Sequence, residues 1–141
     1  MSLKISTDLE RIADLAVDIA QRVLGLVGKP LLKPLIDIPK LTILAQQMVK
    51  DALDSFVNKD ADLAGRVILF DSEADRLRNL VQKELVEDYM SKDSSMAPRA
   101  VPLLLIARHL ERICDHATNI AEEVIYMVNA KVVKHHPEKL K

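Results

Sequence analysis

Apolar residues recur three and four positions apart in four blocks of the chain. That spacing places them along one face of an α-helix, whereas a β-strand would alternate apolar and polar positions. No block shows a convincing alternation, so the pattern predicts an all-α protein. The four helices are expected over about residues 5–27, 37–58, 60–92 and 98–134.

The predicted helices are joined by short connections, which makes neighbouring helices antiparallel in a bundle. Asp37 and Asp60 stand where N-cap residues are expected. The third helix is predicted to be continuous, and its seam residues are Leu63, Val67, Phe70, Ala74, Leu77 and Val81. The seam of the first helix is Leu9, Ile12, Ala16, Ile19, Val23 and Leu26.

One polar motif occurs twice. The segment "DLERIADLAVDIAQRV" at 8–23 aligns with "HLERICDHATNIAEEV" at 109–124. Each copy carries two acidic residues four positions apart, Glu10 with Asp14 and Glu111 with Asp115. A helix turns about 100° per residue, so these carboxylates point away from the apolar seam. Core packing therefore does not explain why they recur.

The third predicted helix has a similar acidic pair, Asp71 and Asp75. If the third and fourth helices pack antiparallel, those two carboxylates and the pair Glu111 and Asp115 flank one groove. A plainer interpretation stays open, because arginines three positions before Glu111 and Asp115 could pair with them within the helix. Such pairs stabilise a helix by about 0.2–0.5 kcal/mol each.

A converging set of carboxylates predicts a bound cation, because the positive charge would offset their mutual repulsion. Oxygen ligands favour hard or borderline ions such as iron, manganese, magnesium or zinc. The single cysteine, Cys114, rules out a cysteine-rich zinc site and is interpreted as a half-buried filler. His109 and His116 are interpreted as polar surface residues.

Composition narrows the function classes. The formal net charge of −1 and the scattered basic residues give no sign of nucleic-acid binding. No apolar run is long enough for a membrane span and no signal peptide is evident, so a cytoplasmic location is expected. A small basic cluster near the C-terminus predicts at most peripheral attraction to a membrane. No phosphate-binding glycine loop or catalytic triad is present, so the protein is not expected to be an enzyme.

The segments "DLERIADLAVDIA" and "ARHLERICDHATNIAEE" resemble the third and sixth helices of the PhoU family, regulators of bacterial phosphate uptake. The ending "AKVVKHH" is also similar to that family. The resemblance implies two similar three-helix bundles side by side, of which this chain holds the last four helices. Residues 1–28 would be the last helix of the first bundle, and residues 36–136 the complete second bundle.

The resemblance also implies surface metal clusters, possibly multinuclear iron or zinc. Asp71, Asp75, Glu111 and Asp115 would form one cluster, and Glu10 with Asp14 would supply half of another. The partners implied are a phosphate ABC transporter and a sensor histidine kinase of the phosphate-starvation response.

The first helix would lack the helices that normally cover its seam. We therefore expect it either to fold back onto the bundle or to pair with a second copy in a homo-oligomer. Three other functions stay open on the sequence: a helical adaptor without metal, a carboxylate-bridged metal enzyme, and a dimerisation bundle resembling that of histidine kinases.

Overall fold

The computed structural model describes residues 3–30 and 36–135, with side chains as far as Lys131. These residues form helices and turns and contain no strand, which confirms the all-α prediction. The helices are α1 Leu3–Leu26, α2 Asp37–Asn58, α3 Ala61–Leu69, α4 Asp71–Lys83, a π-helical segment Glu84–Met90, a 3₁₀ turn Ser94–Met96 and α5 Ala97–His135.

Some predictions concern residues outside these ranges. They are the outermost residues of the two predicted domains, part of the loop between the first two helices, and most side chains of the C-terminal basic cluster. The division into two domains stays a prediction.

One of the two predicted N-caps is confirmed. The side chain of Asp60 accepts a hydrogen bond of 3.0 Å from the backbone N–H of Leu63, and the preceding Lys59 ends α2 in the left-handed conformation with φ of 52°. The prediction for Asp37 is wrong. That residue is the first of α2, and Ile36 stands at the cap position without a side-chain hydrogen bond.

The prediction of one continuous third helix is also wrong. Phe70, with a ψ of −9°, separates α3 from α4, and the backbone N–H of Phe70 donates to the carbonyls of both Arg66 and Val67. The break turns Phe70, predicted to be a seam residue, towards solvent, and it is 44% exposed. It also makes Asp71 the first residue of a new helix.

The long helix α5 is the centre of the molecule, because every other helix packs against it. Its buried face includes Leu110, Ile113, Ala117, Ile120 and Val124. Each large side chain of this kind contributes about 1.5–3 kcal/mol when it is fully removed from water. The facing residues of α2 to α4 include Leu41, Met48, Ala52, Val67, Ala74, Leu77 and Val81.

Helix α1 folds back along α5 and runs antiparallel to it. Asp8 near the start of α1 contacts His116, and Lys4 lies 3.9 Å from Glu123 further along α5. In the described residues α1 packs on α5 and has no such packing against α2. Its seam prediction is therefore only partly right, since Ala16 and Val23 are exposed.

Candidate metal centre

Three acidic side chains from two helices converge on one point. Asp71 and Asp75 lie in the first two turns of α4, and Asp115 lies on the adjacent face of α5. One carboxylate oxygen from each of the three lies within 4.8 Å of the others. Asp71 and Asp75 both precede Asp115 by at least 40 positions in the sequence, and the fold brings the three side chains together.

Glu111 lies beside this cluster, one helical turn before Asp115. Its side chain is only 15% exposed, and its Oε1 accepts a hydrogen bond of 3.2 Å from Arg78 Nε on α4. Burial raises the pKa of the Glu111 carboxyl above its usual value, and a hydrogen bond with Asp75 adds to this effect, while Arg78 opposes it. All four carboxylates of the predicted groove are therefore neighbours.

The cluster is electrostatically unfavourable without a cation. Burial raises the pKa of Asp115, and the negative charges of Asp71 and Asp75 raise it further. Oδ1 of Asp71 is buried and has no hydrogen-bond partner among the described residues. A buried carboxylate oxygen without a partner is costly, and a metal ion would supply one. The donor set and this orphaned oxygen fit a cation with oxygen ligands.

The within-helix ion pairs of the plainer interpretation are not formed. Glu111 pairs with Arg78 of α4, and not with Arg108 three positions before it. Across the described part of the chain, Arg108 and Arg112 make no ion pair at all, although both are exposed. The side chains of Glu111 and Asp115 are thus directed towards α4 and not along their own helix.

Cys114 lies between Glu111 and Asp115 in the sequence of α5 and is fully buried, not half-buried as predicted. Burial raises the pKa of its thiol to about 12, and the surrounding carboxylates, led by Asp115, contribute to the rise. The thiol therefore stays protonated near neutral pH. Since the thiolate is the reactive form, this cysteine is unsuited to act as a nucleophile.

Glu10 and Asp14 are exposed on α1 and do not belong to a carboxylate cluster in the part of the chain that the structure describes. No second helix lies against their face there. Glu10 and Asp14 remain a predicted half-site, whereas the four predicted ligands of α4 and α5 lie next to one another.

Both histidines of the repeated motif differ from the prediction of plain surface residues. His116 Nδ1 lies 2.9 Å from Asp8 Oδ1 of α1, and both side chains are largely buried. His109 has a buried Nδ1 without a hydrogen-bond partner among the described residues. Burial lowers its pKa, against the opposing charge of Asp18. Both rings lie on the side of α5 that faces α1.

Asp8 and Arg78 make side-chain contacts with the α5 motif that were not predicted from the sequence. Asp8 precedes the buried Leu15 by seven positions, which places both on the same face of α1. That spacing was a usable signal for a buried aspartate. Arg78 offered no such signal, because its partner Glu111 lies 33 positions away on another helix.

The fold and this site define an all-helical bundle that presents converging carboxylates between two of its helices. The sequence profile described as the PhoU domain matches residues 38–124. The chain belongs to the PhoU family.

Similar proteins support the same assignment. The chain is 38% identical over 138 residues to phosphate-specific transport system accessory protein PhoU homolog 2 of Thermotoga maritima, covering 98% of this chain and 58% of that protein. The crystal structure of PhoU from Pseudomonas aeruginosa superposes with a TM-score of 0.85 at 39% identity, over 90% of this chain and 61% of that one.

A second solved structure is the phosphate transport system regulatory protein PhoU from Streptococcus pneumoniae. It has a TM-score of 0.77 and 30% identity, over 86% of this chain and 57% of that one. The chain thus spans a little over half the length of the curated relatives it matches.

Proposed function

We propose that this chain is a metal-binding regulatory module of bacterial phosphate uptake and phosphate-starvation signalling. The observation that carries the proposal is the convergence of Asp71, Asp75 and Asp115, with one buried and unpartnered oxygen on Asp71. The similarity to accessory and regulatory proteins of phosphate transport gives the module its setting.

The proposed metal centre lies between α4 and α5. Asp71, Asp75 and Asp115 would supply the first oxygen ligands, and Glu111 would join them once released from Arg78. A cation held there would remove the repulsion that raises the pKa of Asp115 and would cross-link the two helices. Iron and zinc are the ions expected from the family resemblance, and manganese or magnesium also suit a set of carboxylates.

The regulatory action would be exerted through binding surfaces and not through catalysis. The proposed partners are a phosphate ABC transporter and its associated sensor histidine kinase. No helix in the described ranges combines the length and apolar character needed to cross a bilayer. The module would contact a part of the transporter that lies outside the bilayer. The cytoplasmic location stays a prediction.

A homo-oligomer is part of the proposal. An open groove of about 580 Å³ runs between α1 and α2 above α5, and most of its lining is apolar, including Ile12, Ile19, Val49 and Leu53. The outer side of α1 adds exposed Val17, Val23 and Leu24. This apolar face continues the groove, and a second copy of the chain would cover both. A strict monomer in size-exclusion chromatography with light scattering would contradict this part.

Metal content tests the centre directly. The protein is stripped with a chelator, incubated with iron, manganese or zinc, desalted, and measured by inductively coupled plasma mass spectrometry. We expect bound metal in the wild type and none after Glu111→Ala combined with Asp115→Ala. If the chain is instead an adaptor without metal, neither protein retains an ion, and the variant is slightly more stable because like charges are removed.

The regulatory role requires a cellular test. A bacterium lacking its own PhoU gene, and carrying a reporter of the phosphate-starvation response, is supplied with this chain. Repression of the reporter in phosphate-rich medium is expected. An unchanged reporter at confirmed expression would contradict the regulatory proposal but would leave the metal measurement unaffected.

A further inference from the structure

A separate pocket lies next to the carboxylate cluster, on the other side of Arg78. It has a volume of about 310 Å³ and lies between the C-terminal part of α4 with the following π-helical segment and the first half of α5. That volume lies at the lower end of the range for small-molecule sites. A π-helical segment is uncommon in proteins and often occurs at functional sites.

The polar part of the pocket is basic. Arg78 and Arg108 line it from two different helices, with Gln82 beside them, and no acidic residue is part of its lining. An adjoining hollow of about 340 Å³ shares Arg78 and Gln82, and its lining also includes one cation, Lys83, and one anion, Glu87. The charged groups that line the pocket are thus the two guanidinium groups, and that of Arg78 is paired with Glu111 beside the pocket.

Arg78 is held in position before any ligand arrives. Its Nε donates to Glu111, and its Nη1 donates to Gln82 Oε1 at 2.7 Å and to Asn79 Oδ1 at 3.1 Å. These bonds leave the Nη2 group available. A side chain that is already ordered loses little conformational entropy on binding, which favours affinity.

Arg108 provides a cation whose charge is not neutralised. It is exposed on α5 and forms no ion pair within the described residues, because Glu111 is taken by Arg78. The remaining wall consists of Val86, Leu104, Leu105 and Ala107. The pocket therefore combines two guanidinium groups with an apolar surface.

We propose that this pocket binds a small phosphate monoester, with its phosphoryl group between Arg78 and Arg108 and its organic part on Leu104 and Val86. Guanidinium groups form paired, charge-assisted hydrogen bonds with phosphoryl oxygens. Two guanidiniums from different helices suit a tetrahedral dianion better than a planar carboxylate with a single charge. The two arginines, and no proposed metal ligand, would contact the phosphoryl group. Because Glu111 holds Arg78 in the metal-free protein, the test uses protein without metal.

Isothermal titration of the chelator-treated full chain with phenyl phosphate tests the proposal. Saturable binding with a Kd of about 1 mM or tighter is expected. Inorganic phosphate should bind more weakly because it cannot use the apolar wall, and benzoate should bind more weakly because it carries one charge. Failure to saturate, or benzoate binding as tightly as phenyl phosphate, would overturn the phosphoryl site. Equal affinity for inorganic phosphate would overturn the assignment to an ester.

The chain offers a matched control for the arginine. Arg112 lies one turn after Arg108 on the same helix, is likewise exposed and makes no ion pair with the residues that the structure describes, and it does not line the pocket. Arg108→Gln should raise the Kd for phenyl phosphate by about tenfold or more, and Arg112→Gln should change it by less than about twofold. Equal effects of the two variants would show diffuse attraction to positive charge and would overturn the proposal. Because both residues are exposed, unchanged circular dichroism is expected for both variants.

Discussion

The two copies of the repeated motif, one on α1 and one on α5, share most of their sequence and have different surroundings. On α5 the motif is largely enclosed by other helices. Ile113, Ala117 and Ile120 are all buried, although Ile113 forms part of the floor of the groove between α1 and α2. On α1 the equivalent residues are Ile12, Ala16 and Ile19, which line an open groove. The acidic pair on α5 meets Asp71 and Asp75 of α4, whereas Glu10 and Asp14 face solvent.

This difference shows that a helix with the motif supplies only half of a site. The carboxylates of α5 become a cluster because α4 brings two more to the same point. The helix break at Phe70 contributes, because it lets α4 start at Asp71 in its own orientation. On α1, where no second helix brings carboxylates to the motif, the same pattern gives an acidic helix that is only partly covered.

The largest expected difference between the two copies concerns metal. Asp75→Asn combined with Asp115→Asn should abolish metal retention, because these changes remove two of the three converging carboxylates. Glu10→Gln combined with Asp14→Asn, a matched removal of two charges, should leave the metal content unchanged. Mass spectrometry of reconstituted, desalted protein measures both. Equal losses in the two variants would mean that the copies do not differ in this function.

The difference in burial between the two copies can be measured at two equivalent positions, Ile120 on α5 and Ile19 on α1. Ile120→Ala removes a fully buried side chain of α5, and the free energy of unfolding should fall by about 2–5 kcal/mol. At a protein concentration low enough to keep the chain monomeric, Ile19→Ala on α1 should cost clearly less, because Ile19 is only partly buried within one chain. Urea denaturation followed by circular dichroism gives both values. A similar loss at the two positions in the monomer would contradict the difference in burial, whereas a cost of Ile19→Ala that rises with protein concentration is expected of the proposed dimer.

The attachment of α1 to α5 should depend on Asp8. This carboxylate is 7% exposed and contacts His116 at 2.9 Å, so Asp8→Ala leaves the largely buried ring without its partner. The expected cost is about 1–3 kcal/mol. Hydrogen exchange should accelerate in α1 more than in α2 to α4. Asp14→Ala, on the exposed face, is the control, and protection of α1 as high in Asp8→Ala as in this control would refute the attachment.

The smallest expected effect is on the pH dependence of stability. The pKa values of Glu111 and Asp115 are raised in the folded protein, so their protonated forms are favoured by folding. Without metal, stability should therefore increase as pH falls through the range just above the ordinary carboxyl values of 4.5 and 3.8. Urea midpoints of chelated protein between neutral and mildly acidic pH measure this. Glu111→Gln combined with Asp115→Asn should weaken the increase, and an unchanged profile would refute the assignment.

Much of the fold could be predicted from the sequence. Periodic apolar positions defined four helical regions, and Asp60 was recognised as a cap because its side chain can accept from a backbone N–H three residues later. The break at Phe70 could not be predicted, because no glycine or proline marks it. Both α3 and α4, on either side of the break, pack against α5.

The candidate site was predictable in its residues but not in its partners. Spacing alone placed Glu111 and Asp115 off the apolar seam, and Asp71 with Asp75 likewise. That Glu111 pairs with Arg78 and not with Arg108 depends on the angle between two helices. Asp8 is a similar case, since its pairing with His116 requires α1 to fold back along α5.

The sequence by itself determined which residues are helical and which side of each helix is apolar, because both follow from local backbone geometry and from the spacing of side chains. Only the tertiary structure decided which of the two similar motifs gathers a carboxylate cluster. Convergence of charges is a property of neighbouring helices, and the helix that completes the set lies against α5 and not against α1.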